Sequence, residues 1–149
     1  MSSTETVEHC IEVCNSLLRG ELSAIETYTQ AIDKFSGDPE VATLSRIRAE
    51  HEASAQRLSS NVVTMGGTPS TDSGAWGNFA KTVEGAAKLF GDTSALHGLQ
   101  SGEEYGRGNY ESALEDENVM PDCKSMISGE LLPRQLEHIR TLKMLKDAQ

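Results

Sequence analysis

A carboxylate sits where an apolar residue is due. Read at helical spacing, the first part of the chain gives Val7, Ile11, Cys14, Leu18, Glu21, Ile25, Tyr28 and Ile32, a stripe that any hydrophobic core would accept except at Glu21. Burying a carboxylate is costly unless it is ion-paired, hydrogen-bonded or bound to a metal. Glu21 therefore demands a partner. The second half repeats the pattern: Gly20-Glu21 with Tyr28, Ala31 and Ile32 returns as Gly102-Glu103 with Tyr110, Ala113 and Leu114. Two helices with the same interrupted stripe predict a duplicated helical hairpin whose halves face each other.

The rest of the chain is read around that pair. Ser2 with Glu5 has the form of a capping box, which starts a first helix that runs to about Phe35. Asp38-Pro39 predicts a second start, with Asp38 as N-cap and Pro39 in the first helical position. The second helix carries Leu44, Ile47, His51, Ser54, Leu58, Val62 and Met65 on one face, and Gly66-Gly67-Thr68-Pro69 stops it. A polar loop from Ser70 to Trp76 follows, then a short amphipathic helix from Asn78 to Phe90 in the crossover, with Trp76 as a packing anchor. A third helix is expected from Asp92–Ser94 to about Asp116, with Leu96, Leu99, Glu103, Tyr110 and Leu114 inward. Gly102, Gly106 and Gly108 weaken its intrinsic helicity, which implies either a neighbour in close approach or a break. The fourth helix begins at Pro121 and carries Ile127, Leu131, Gln135, His138, Leu142 and Leu145, with a kink expected at Pro133. Leu132, Leu136 and Ile139 offer a competing inner face.

Length and charge narrow the function classes. A chain of 149 residues is about one domain, so residues 1–149 are read as a single all-α unit. No stretch approaches a membrane span, and the N-terminal Met1-Ser2-Ser3-Thr4-Glu5 lacks the basic and apolar regions of a secretory signal, which predicts a cytoplasmic protein. A net charge of −10 argues against nucleic acid or anionic membrane as partners. The three cysteines, Cys10 and Cys14 one turn apart and Cys123 alone, do not form a disulfide framework. They read as small core residues, with a soft-metal or redox role for Cys10 and Cys14 as the alternative.

Each of the four inner stripes carries polar residues at mid-height: Glu21, then His51 with Ser54, then Glu103, then Gln135 with His138. Polar groups converging from four helices are how a bundle builds a metal site, and carboxylate with imidazole suits iron, manganese or zinc. The bland reading is that the carboxylates accept tyrosine hydroxyls across the bundle and that His51 bonds to Glu21 or Glu103.

The segment from Leu17 to Tyr28, with its Glu-to-Tyr spacing, resembles the first helix of bacterioferritin-like proteins, and Gly66-Gly67-Thr68-Pro69 is similar to the end of the second helix in the ferritin-like superfamily. The whole layout resembles a bacterial family of uncharacterised four-helix-bundle proteins, a domain of unknown function related in shape to stress-induced ferritin-like proteins. The resemblance implies an up-down four-helix bundle and a homo-oligomer. It also implies a di-iron site with single carboxylates at Glu21 and Glu103 and a Glu-x-x-His pair on each of helices two and four. Here those pairs stand as His51 with Ser54 and Gln135 with His138, so both bridging carboxylates are absent. The remaining charge of about −2 is too small to neutralise two divalent ions. Two expectations follow. One is a non-enzymatic bundle with a degenerate di-metal site and a binding or stress-related role. The other is a metal-binding oxidoreductase or iron-handling protein that holds one ion with Glu21, His51, Glu103 and His138, and Gln135 as a weak fifth ligand.

Overall fold

The computed structural model describes residues 2–35, 38–74 and 92–149. All regular structure among them is helical. Helix α1 spans Ser3–Lys34, α2 Glu40–Thr64 and α3 Asp92–Glu115. The final rod is built from α4, Pro121–Met126, a π-helical turn, Ile127–Leu131, and α5, Leu132–Asp147. The short helix expected between Asn78 and Phe90, and Trp76 before it, lie outside the described residues.

Local chemistry sets most of the boundaries. The Ser2 hydroxyl accepts the Glu5 N–H at 3.1 Å, satisfying one of the free donors of the first turn. At α2 the start differs from expectation by one residue: Pro39 is the cap, no side chain caps it, and Val41 N–H bonds to the Asp38 carbonyl at 3.2 Å. Gly66 ends α2 with φ of 88°, a conformation that costs glycine little. Gly67 follows because a Cβ there would stand 2.7 Å from Ile11 Cγ2.

Helix α3 runs unbroken through its glycines, and Gly106 shows why one of them is required. A Cβ at Gly106 would meet Gln135 Nε2 at 2.5 Å. That amide donates to the Glu103 backbone carbonyl at 2.9 Å, so α5 rests directly on the backbone of α3. Gly108 has nothing within 4 Å of its would-be Cβ.

Pro133 neither breaks the last rod nor sits in plain α-helix. The turn before it widens, and Leu132 N–H reaches back to the Ile127 carbonyl, a π-type i to i−5 bond. The wider turn brings Gln135, His138 and Leu142 into the core, while Leu132, Leu136 and Ile139 are only half-buried.

Helix α1 packs along α2, α3 along α5, and the two pairs meet through α1 with α3 and α2 with α5. The apolar core between them is in two parts. One part joins Cys10, Cys14, Leu18, Leu58, Val62 and Ile127 with their neighbours. The other joins Tyr28, Phe35, Leu44, Ile47, Leu96 and Leu142 with theirs. A buried layer of Glu21, His51, Ser54, Glu103, Gln135 and His138 lies at the middle of the rods.

Candidate metal centre

The polar layer is built around His51. Its Nδ1 lies 2.5 Å from Glu21 Oε2 and its Nε2 2.6 Å from Glu103 Oε1. Each carboxylate also takes a tyrosine hydroxyl from the opposite helix: Tyr110 donates to Glu21 Oε1 at 2.5 Å, and Tyr28 to Glu103 Oε1 at 2.7 Å. The repeated Glu and Tyr of α1 and α3 thus pair crosswise, each glutamate with the other helix's tyrosine. His51 is the shared centre of the repeat.

A second imidazole completes the layer. His138 Nε2 lies 2.9 Å from Glu50 Oε1, and the His138 ring is 4.6 Å from that of His51, centroid to centroid. His138 Nδ1 points back toward Glu103 Oε1 at 3.5 Å, too far for a good hydrogen bond. Among the described residues, His138 Nδ1 and Glu103 Oε2 are buried side-chain atoms with no hydrogen-bond partner. Such groups are few in folded proteins, and each calls for an explanation.

Charge follows from these neighbours. Burial disfavours ionised Glu103, but the His51 imidazolium, with help from His138, outweighs it and holds the carboxyl at about 2. Burial likewise opposes charge on His51, yet Glu103 and Glu21 overcome it and raise its pKa well above 6.5. Burial and the adjacent carboxylates push Tyr28 and Tyr110 well above 10, so both remain hydroxyl donors.

The structure brings Glu21, His51, Glu103 and His138 into one cluster, and Gln135 borders it. Ser54, buried in the same layer, takes a hydrogen bond from Arg134 at 2.8 Å. His9 is half-buried and bonds to Asp116 at 2.7 Å, and His97 is exposed. Sequence reasoning missed Glu50. It stands one residue before the inward His51 and one turn after Arg46, so it reads as half of a surface ion pair. That pair exists, with Arg46 3.1 Å from Glu50 Oε2, but the other carboxylate oxygen turns inward to His138.

The donor set fits one metal ion better than two. A ligand atom from each of His51, Glu103 and His138 lies within 4.8 Å of the others, all three side chains being buried. The outer nitrogens of both histidines are held by carboxylates, Glu21 and Glu50 respectively, which is the arrangement that orients histidine ligands in metalloproteins. For a second ion the layer has no carboxylate at Ser54 or Gln135. A cavity of about 50 Å³ between α1 and α3 reaches this layer, bordered by Gly20, Glu21, Ala24, Gly102, Glu103 and Gly106.

Fold and site together define a protein whose regular structure, among the described residues, is helical, with a buried carboxylate and histidine layer across its core. The chain belongs to the family described as a domain of unknown function, DUF2383, whose model matches residues 9–116. The match takes in Glu21, Glu50, His51 and Glu103 and ends before His138. No curated protein and no solved structure matches the chain.

Proposed function

We propose that this protein is a ferritin-like bundle that binds a single divalent transition-metal ion through His51 Nε2, Glu103 and His138 Nδ1. The observation that carries the proposal is the pair of unpartnered buried atoms, Glu103 Oε2 and His138 Nδ1, in a layer where His138 Nδ1 stands 3.5 Å from Glu103 Oε1 and both imidazoles are already fixed from behind. Glu21 and Glu50 then orient the histidines, Tyr28 and Tyr110 fix the carboxylates, and Gln135 sets the height of α5 on α3. Two histidines and one carboxylate suit Fe(II), Mn(II) or Zn(II), and such an ion supplies Lewis-acid or redox chemistry at positions left open by the protein. The cavity bordered by Gly20, Ala24, Gly102 and Gly106 gives a small molecule room beside Glu103.

Without an ion, a proton on His51 takes the place of the positive charge. That closure favours the second reading, a metal-free polar core in a bundle with a binding or stress-related role, because His51 is bonded at both nitrogens.

Metal analysis of protein purified without chelator separates the two. The proposal expects about one equivalent of iron, manganese or zinc, and a rise in melting temperature when the ion is restored to stripped protein. His138→Ala and Glu103→Gln should abolish binding, whereas Glu21→Gln and Glu50→Gln should weaken it about 10- to 100-fold. Less than about 0.2 equivalent of metal, with no thermal shift on adding Fe(II), Mn(II) or Zn(II), establishes the metal-free reading instead.

A further inference from the structure

A second cluster of metal-ligating side chains lies toward the N-terminal end of α1. Cys10 and Cys14 project from α1 and Cys123 from α4; all three are free thiols and buried. Cys14 stands two turns from Glu21, about 10 Å along the helix, so this cluster is separate from the polar layer. Cys123 is the shared member, a near neighbour of both Cys10 and Cys14.

Around Cys14 and Cys123 the polar contact is an N–H donor, whereas Cys10 both accepts an N–H and donates its S–H to the Asn118 carbonyl at 3.6 Å. Asn61 Nδ2 donates to Cys14 Sγ at 3.4 Å and to Cys123 Sγ at 3.3 Å, and the Met120 backbone N–H donates to Cys10 Sγ at 3.2 Å. An amide side chain bridging two buried sulfurs is more than apolar packing requires. Donors of this kind stabilise negative charge on sulfur, but at Cys14 Asn61 only partly counters burial, which still leaves the thiol pushed up to about 12. The thiols belong to a hydrophobic cluster that also holds Met65, Met120 and Met126.

We propose that Cys123 and Cys14, the two sulfurs that Asn61 bridges, form a binding site for a thiophilic monovalent cation of the Cu(I) class, with Cys10 beside it. Thiolate and thioether ligands select such ions, whereas a divalent ion of harder character would seek the carboxylates and imidazoles of the central layer. Binding involves no change of oxidation state. As each sulfur–copper bond forms, the S–H bond breaks and its proton passes to the buffer. The site then holds two thiolates around a single positive charge, with the Asn61 amide against the excess negative charge.

The test is titration of reduced, zinc- and iron-free full-length protein with Cu(I) under anaerobic conditions, in competition with a chromophoric Cu(I) chelator. One equivalent should bind, Cys123→Ser should reduce the affinity at least about 100-fold and Asn61→Ala about 10-fold, while Glu103→Gln and His138→Ala leave it unchanged. Binding that survives Cys123→Ser, or that is lost with Glu103→Gln, overturns the proposal. Should Cys123→Ser fail to fold, X-ray absorption at the copper edge of the wild-type complex decides. A first shell of sulfur alone supports the site, and a nitrogen or oxygen shell or no stoichiometric binding refutes it. These outcomes do not depend on whether the central layer binds its own ion.

Discussion

Replacing His51 by leucine removes the cation that Glu21 and Glu103 share, and the structure sets the size of the effect. In the metal-free protein His51 lies 2.5 Å from one carboxylate and 2.6 Å from the other, with all three side chains at most 5% exposed. Leucine is close to histidine in volume, so lost packing contributes little. What remains is charge. Glu21 keeps one tyrosine hydroxyl and no counter-ion, Glu103 one tyrosine hydroxyl and the more distant His138, and stranding a buried charge costs about 3–5 kcal/mol. The other route is to protonate a carboxylate: from an ordinary pKa of 4.5 to pH 7 that costs about 3.4 kcal/mol for each one neutralised. Both routes agree on about 3–5 kcal/mol at pH 7, and the second predicts that the deficit shrinks by more than half at pH 5. Glu21→Gln behaves differently. It lowers the negative charge on the layer, leaves an oxygen for Tyr110, and should stay within about 1 kcal/mol of wild type. Urea unfolding followed by circular dichroism, in chelator at pH 5 and pH 7, measures all three proteins. A His51→Leu deficit below about 1 kcal/mol, or one equal at both pH values, would refute the ion-pair account.

Two other expectations follow from the same geometry. Gly108→Ala, in open space, should stabilise the protein by about 0.5–1 kcal/mol. Gly106→Ala should not, because its Cβ would collide with Gln135, and the gain should reappear in the Gln135→Ala background; thermal melts of the four proteins show whether it does. The pH profile of the chelated protein carries opposite signs for the two partners. Glu103, held at about 2 against 4.5 when unfolded, contributes stability above pH 4.5 that is lost as pH falls toward 2. His51, raised above 6.5, contributes fully below pH 6.5 and loses its contribution as pH rises through its folded pKa. Stability from the pair should therefore be highest between about pH 4.5 and 6.5 and fall above it by up to about 1.4 kcal/mol per pH unit. A profile of His51→Leu with the same alkaline slope as wild type would show that some other group sets it.

The stripe positions carried most of the architecture because burial follows the period of the helix. Leu44, Ile47, His51, Ser54, Leu58 and Val62 are all buried as that pattern predicts, and the crosswise bonds of Glu21 and Glu103 to tyrosine follow from their repetition on two helices. What escaped the sequence depends on chain segments that are far apart. Glu50 serves an exposed arginine and a buried histidine with its two oxygens, and periodicity assigns a residue only one face. Cys123 looks solitary until α4 is laid against α1. The need for glycine at position 106 is visible only once Gln135 lies upon it. The capping role expected of the Asp38 side chain fell to Pro39, a shift of one residue of the kind to which helix ends are prone.

The π-helical turn at Ile127–Leu131 has a consequence for how this chain can change in length. A wide turn absorbs about one residue relative to ordinary α-helix, so everything after it lags by about 100° of rotation. Wound as α-helix at the same length, the last rod would turn Arg134, Glu137 and Thr141 inward where Gln135, His138 and Leu142 now stand. A carboxylate would then confront Glu103 in place of an imidazole. With one residue deleted from the turn and the helix regularised, the inner face would be as it is now. The number of residues between Cys123 and His138 and the winding of the turn between them are thus fixed jointly: either can change only if the other changes with it.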